Sequence, residues 1–100
     1  MKLSELLSHI PHTLLAGSGE TEITALCCDS RRAGSGSLFV ALPGARADGH
    51  GFVPAAFAQG AAAAIVERPV DAPAGAAVVL VENARIALSL LAAAFYGYPA

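Results

Sequence analysis

Ser30 stands between Asp29 and Arg31, with Arg32 following, so four successive positions hold a carboxylate, a hydroxyl and two guanidinium groups. Such a turn can bind an oxyanion, because a hydroxyl donates a hydrogen bond and Arg presents a planar fork that matches phosphate. A second polar segment, residues 44–49, carries Arg46 and Asp48 and runs into His50. Both segments also have self-contained readings. Asp29 and Ser30 can bond the N–H groups of their own turn while the arginines stay solvated, and Arg46 can pair with Asp48 inside its loop.

No catalytic set assembles around these residues. Ser30 lacks a G-x-S-x-G elbow and a neighbouring base, which argues against a hydrolase triad. His9 and His12 bracket Ile10 and Pro11, and His50 stands alone, so all three read as solvated or capping histidines and no metal site is expected. Lys2 is the only lysine and no G-x-x-x-x-G-K-[ST] occurs, which excludes a P-loop within these residues. Gly17-Ser18-Gly19 and Gly34-Ser35-Gly36 do not complete a dinucleotide fingerprint and read as turns. The adjacent Cys27 and Cys28 point to opposite faces of a strand, which suits neither a disulfide nor a metal pair; buried or half-buried thiols are expected.

The elements that must position the two turns follow from hydrophobic spacing. Leu3, Leu6, Leu7 and Ile10 recur at helical spacing, with Ser4 near the start and Pro11 after the end. Residues 11–21 read as a surface loop, residues 23–28 as a strand ending at Asp29, and residues 38–42 as a strand buried on both faces. Phe52, Val53, Ala56 and Phe57 predict a helix with Pro54 in its first turn and Gly60 as its stop. Residues 61–67 and 77–81 predict two further strands. Asn83 is expected to cap a helix over residues 84–95, with Ile86, Leu90, Leu91 and Ala94 as its apolar stripe and Gly97 as its end. Strands alternating with helices at these lengths predict an α/β fold, a small layered sandwich with a mainly parallel sheet and flanking helices. Both polar turns then follow strands, where ligands of α/β sheets sit.

Composition bounds the function classes. The 100 residues suit one domain. Mean hydropathy is +0.58, but roughly a quarter of the residues are Ala, so the apolar excess is mostly small side chains. Six Lys and Arg against eight Asp and Glu leave a net charge of -2, with no general attraction for nucleic acid or an anionic membrane. No apolar run reaches the roughly 20 residues of a membrane span, and the N-terminus does not read as a secretory signal, so a cytoplasmic chain is expected.

The order Asp29-Ser30-Arg31, then Leu38-Phe39-Val40-Ala41-Leu42-Pro43-Gly44, then Asp48-Gly49-His50, then Gly60-Ala61-Ala62-Ala63 resembles the N-terminal domain of the Mur ligases of bacterial peptidoglycan synthesis. Four motifs in the right order are far more specific than any one tripeptide, and the resemblance runs from about Ile23 to the end. Val81-Glu82-Asn83-Ala84-Arg85 and the segment from Ala92 to Pro99 are most similar to the E-type branch, which adds a diamino acid, rather than the F-type, which adds a D-alanyl dipeptide.

The resemblance implies a domain that binds the UDP part of UDP-N-acetylmuramoyl-L-alanyl-D-glutamate. The ATP and Mg2+ chemistry that adds meso-diaminopimelate or L-lysine would lie in central and C-terminal domains absent from these residues. This chain alone is then expected to be inactive, with no cofactor of its own. Carried over by position, the family's uridine and diphosphate contacts fall on Cys28 and Ser30 and on Ala45, Arg46 and Ala47. Arg46 stands where one common family form has Gln, which makes it a phosphate partner. Asp29 is expected to fix its turn. The alternative readings are a noncatalytic module that keeps this fold for protein contacts, or the N-terminal domain of the F-type ligase.

Overall fold

The computed structural model describes residues 1–44 and 48–97. Five strands, β1 (Thr13–Ala16), β2 (Ala25–Cys27), β3 (Ser37–Val40), β4 (Ala63–Val66) and β5 (Ala77–Leu80), form one sheet in the order β1-β5-β4-β3-β2. Strands β2 to β5 are parallel, and β1 runs antiparallel to β5 at the edge. Three helices, α1 (Leu3–Leu7), α2 (Val53–Ala58) and α3 (Ala84–Tyr96), flank it.

The parallel strands alternate their side chains between two cores. Leu38 and Val40 join Ala63, Ile65, Ala77 and Val79 on the face covered by α1 and α3. Phe39, Ala64, Val66 and Val78 join Val53 and Ala56 on the face covered by α2. Burial on both faces explains why residues 38–40 read as an unbroken apolar run, and burying each of these side chains contributes about 1.5–3 kcal/mol. The predicted layered α/β sandwich is the observed architecture. Among the described residues, no helix is long and apolar enough to cross a membrane.

Two local expectations are corrected. Residues 11–21 are not wholly loop, since β1 lies within them. All four of its residues are exposed, so no period-two burial pattern marks it; main-chain pairing with β5 holds it in place. The apolar stripe of α3 is also only partly as expected: Leu91 is buried and Ala94 packs against the core, but Ile86 and Leu90 do not. Ala84, Ala87 and Leu91 face the sheet, whereas Ile86 and Leu90 are 59% and 43% exposed. Ala84, Ala87 and Leu91 pack into the core shared with the strands, and Ile86 and Leu90 line an open groove beside Ile10 and Val81. Asn83 Oδ1 accepts from the Ile86 N–H at 3.0 Å as expected of a cap. Gly97, with φ of 66°, ends the helix in the left-handed region.

Candidate functional site

Because β2, β3, β4 and β5 are parallel, the segments that follow them emerge at one edge of the sheet. The Asp29 turn follows β2, residues 41–48 follow β3, Glu67 and Arg68 follow β4, and Val81 to Asn83 follow β5. Since β2 and β3 are hydrogen-bonded neighbours, the two polar segments singled out in the sequence follow adjacent strands.

Ser30–Arg32 forms one 3-10 turn, and Asp29 is its cap. Asp29 Oδ1 accepts from the Arg31 N–H at 2.9 Å and from Arg31 Nε at 3.2 Å, while Oδ2 accepts from Arg31 Nη2 at 3.1 Å. These bonds to Arg31 hold the Asp29 carboxyl below its usual pKa and raise that of Arg31. Asp29 thus fixes the turn, as expected, and Arg31 is occupied by it. Among the described residues the Ser30 hydroxyl has no protein partner, so it is free to bond a ligand. Cys28 is exposed, against the expectation of a buried or half-buried thiol, because the strand ends at Cys27. Cys27 is half-buried, and burial raises its thiol pKa.

Cys28, Asp29, Ser30 and Arg31 line one open cleft of about 530 Å³, and the fifth lining residue is Phe52. Phe52 ends the 3-10 turn Gly49–Phe52 and is 46% exposed. Sequence reasoning assigned Phe52 to the apolar face of α2 and so missed it. The helix starts one residue later, at Val53, which takes the fully buried position instead. A different groove, lined by Ile10, Val81, Ile86 and Leu90 among others, has Glu82 as its one charged residue and no cation, which makes it unsuited to a phosphate.

The Asp48-Gly49-His50 motif anchors the turn that carries Phe52. Asp48 Oδ1 accepts from the His50 N–H at 3.0 Å, capping the turn, and lies 2.6 Å from His50 Nδ1. His50 is 5% exposed, and its Nε2 accepts the Glu67 N–H at 2.8 Å. An acceptor Nε2 means that the ring is neutral with its proton on Nδ1, donated to Asp48. The reading of His50 as a lone solvated or capping histidine is therefore wrong, because the ring is buried and one of its two partners, the Glu67 N–H, comes from the end of β4, distant in sequence. Arg68 Nη2 pairs with Asp48 Oδ2 at 2.6 Å. The bonds from His50 and Arg68 hold the Asp48 carboxyl far below the usual carboxylate range. Gly49 leaves no room for a side chain, since a Cβ there would meet Leu42 N at 2.5 Å and Leu42 O at 2.7 Å.

The same network reaches α3. Glu67 Oε2 accepts from the Ala84 N–H at 2.7 Å, and Arg85 Nη2 donates to the Pro43 carbonyl at 2.9 Å. Pro43 is thus tied to α3 through Arg85, and Asp48 to His50 and Arg68. The site residues Ala45, Arg46 and Ala47 themselves lie outside the described residues. Of the five residues carried over from the resemblance, Cys28 and Ser30 share the cleft. The expected Arg46–Asp48 pair therefore also lies outside the described residues, among which Arg68 pairs with Asp48. Among the described residues, no three His, Cys, Asp or Glu side chains converge as a metal site would require.

Comparison with known proteins bears on what this edge serves. The family described as "Mur ligase family, catalytic domain" matches residues 22–96. A UDP-N-acetylmuramoyl-L-alanyl-D-glutamate--2,6-diaminopimelate ligase of Geobacillus kaustophilus is 52% identical over 99% of this chain and 20% of its own length. A UDP-N-acetylmuramyl-tripeptide synthetase of Roseiflexus is 42% identical with the same coverage. Among solved structures, the UDP-N-acetylmuramoylalanyl-D-glutamyl-2,6-diaminopimelate--D-alanyl-D-alanyl ligase of Acinetobacter baumannii superposes with a TM-score of 0.81 at 38% identity, over 93% of this chain and 21% of that one. The chain thus spans about a fifth of the length of the relatives it matches. With the four motifs in order, the layered fold and these matches in agreement, the chain belongs to the Mur ligase family as its N-terminal domain.

Proposed function

We propose that this domain binds the UDP part of UDP-N-acetylmuramoyl-L-alanyl-D-glutamate for an ATP-dependent, cytoplasmic ligase that adds meso-diaminopimelate or L-lysine to the peptidoglycan precursor. The observation that carries the reading is the cleft at the carboxyl end of β2, where the Ser30 hydroxyl is unpartnered beside Cys28. In this assignment Ser30 donates to a phosphate or ribose oxygen, backbone groups of Cys28 and of residues 45–47 read the uracil edge, and Arg46 meets the diphosphate. The ATP and Mg2+ of the reaction are held by residues beyond this chain, whose single lysine, Lys2, is tied to Glu20 at 2.8 Å. The domain acts by holding substrate, and it turns nothing over by itself.

The test is a titration with UDP and with UDP-N-acetylmuramoyl-dipeptide while backbone amide shifts are recorded. Perturbations at residues 28–31 and 44–49 are expected, and perturbations confined to α3 would overturn the assignment. A second reading, the F-type ligase, is favoured by the likeness to the Acinetobacter structure. Assaying the full-length protein with a diamino acid and with D-alanyl-D-alanine as rival acceptors separates the two.

A further inference from the structure

We infer that Phe52 is the stacking platform for the nucleobase in this cleft, an assignment that rests on the UDP-binding reading above. The exposed ring is not a leftover of core packing. Val53, its neighbour, is fully buried, Phe57 packs against the core under α2, and Phe52 is left 46% exposed beside a polar turn. The turn that ends in Phe52 is capped by Asp48 and anchored by buried His50. The backbone that carries the ring then has little freedom left to lose when a ligand covers it.

The rest of the cleft selects the kind of ligand. Cys28, Asp29, Ser30 and Arg31 surround a single aromatic ring with polar or small groups. An aliphatic ligand would cover those polar groups without bonding them, at a cost. A protein partner would need a patch of roughly 800 Å² on each side, far more than one ring offers. A heterocyclic base has an apolar face for Phe52 and a hydrogen-bonding edge for the turn, so it matches both features. Phe52 then supplies affinity for a base, and the polar groups choose which base.

The test compares the chain with its Phe52→Leu, Phe52→Ala and Phe52→Tyr variants, titrated with UDP, uridine and inorganic pyrophosphate. Because the ring is exposed, the variants are expected to fold, which amide dispersion verifies. Uridine H5 and H6 should move upfield on binding to the parent chain and to Phe52→Tyr. Phe52→Leu and Phe52→Ala should bind UDP about five- to a hundredfold more weakly, with pyrophosphate binding unchanged. If UDP binds parent and Phe52→Ala alike without upfield shifts, the stacking role is wrong while the UDP site stands. Equal weakening of pyrophosphate would likewise overturn it, since the ring would then act through the shape of the turn. No UDP binding to the parent chain overturns the site and the stacking role together.

Discussion

Asp48 Oδ1 and His50 Nδ1 lie 2.6 Å apart, and the other nitrogen of the same ring accepts the Glu67 N–H. This arrangement joins the segment after β3 to the end of β4 through one neutral, buried imidazole. His50→Ala should leave the Glu67 N–H without a partner and open a void. The expected cost is about 1–3 kcal/mol, read as a lower urea midpoint at unchanged slope.

Acid sensitivity follows from Asp48. Its pKa is depressed in the folded chain, so the unfolded chain binds the proton more readily. The stabilisation is then complete above the ordinary carboxylate pKa near 4 and is lost as pH falls below it toward the folded value. Asp48→Asn should be less stable at neutral pH and should lose less on acidification. Urea midpoints at pH 7 and pH 3 for both proteins measure the difference, and identical acid losses would refute it.

Gly49 is required by contact rather than by its dihedral angles. A Cβ at this position would strike the Leu42 backbone, which has no flexible side-chain end to move aside. Gly49→Ala should destabilise by about 1–3 kcal/mol, while Gly51→Ala, with open space around it, should cost much less. Thermal unfolding of the two variants compares them directly.

Two separate acceptors cap α3. Asn83→Ala should cost about 1 kcal/mol. Glu67→Ala removes the acceptor of the Ala84 N–H and should shift the unfolding midpoint in the same direction. An unchanged midpoint in both variants would show that water caps this helix as well as the side chains do.

Affinity for the isolated chain should be low. A few hydrogen bonds worth about 0.5–1.5 kcal/mol each, with one stacked ring, must offset the cost of association, which points to a dissociation constant of roughly millimolar to high micromolar. UDP should bind nearly as well as the whole nucleotide-sugar peptide. Calorimetry showing a hundredfold advantage for the whole substrate would mean that this domain also reads the sugar or peptide.

The sequence by itself determined the layered α/β fold, four of the five strands, the Asn83 cap and the place of two polar segments after strands, while the adjacency of those strands came from the structure. Those features are local, written in runs such as Leu38-Phe39-Val40 that must be buried on both faces and in residues such as Gly97 that end a helix. The motif order also carried the family. Only the tertiary structure decided what depends on partners far along the chain. His50 needs the Glu67 N–H, 17 positions away, and β1 exists because β5 offers it an edge to pair with. The face of α3 that meets the sheet, with Ala84, Ala87 and Leu91, was likewise settled by packing against residues distant in sequence. Phe52 lines the cleft from the end of the turn that His50 holds, which no local spacing marks. Hydrophobic period reports which residues want burial; competition among long-range contacts chooses which of them obtain it.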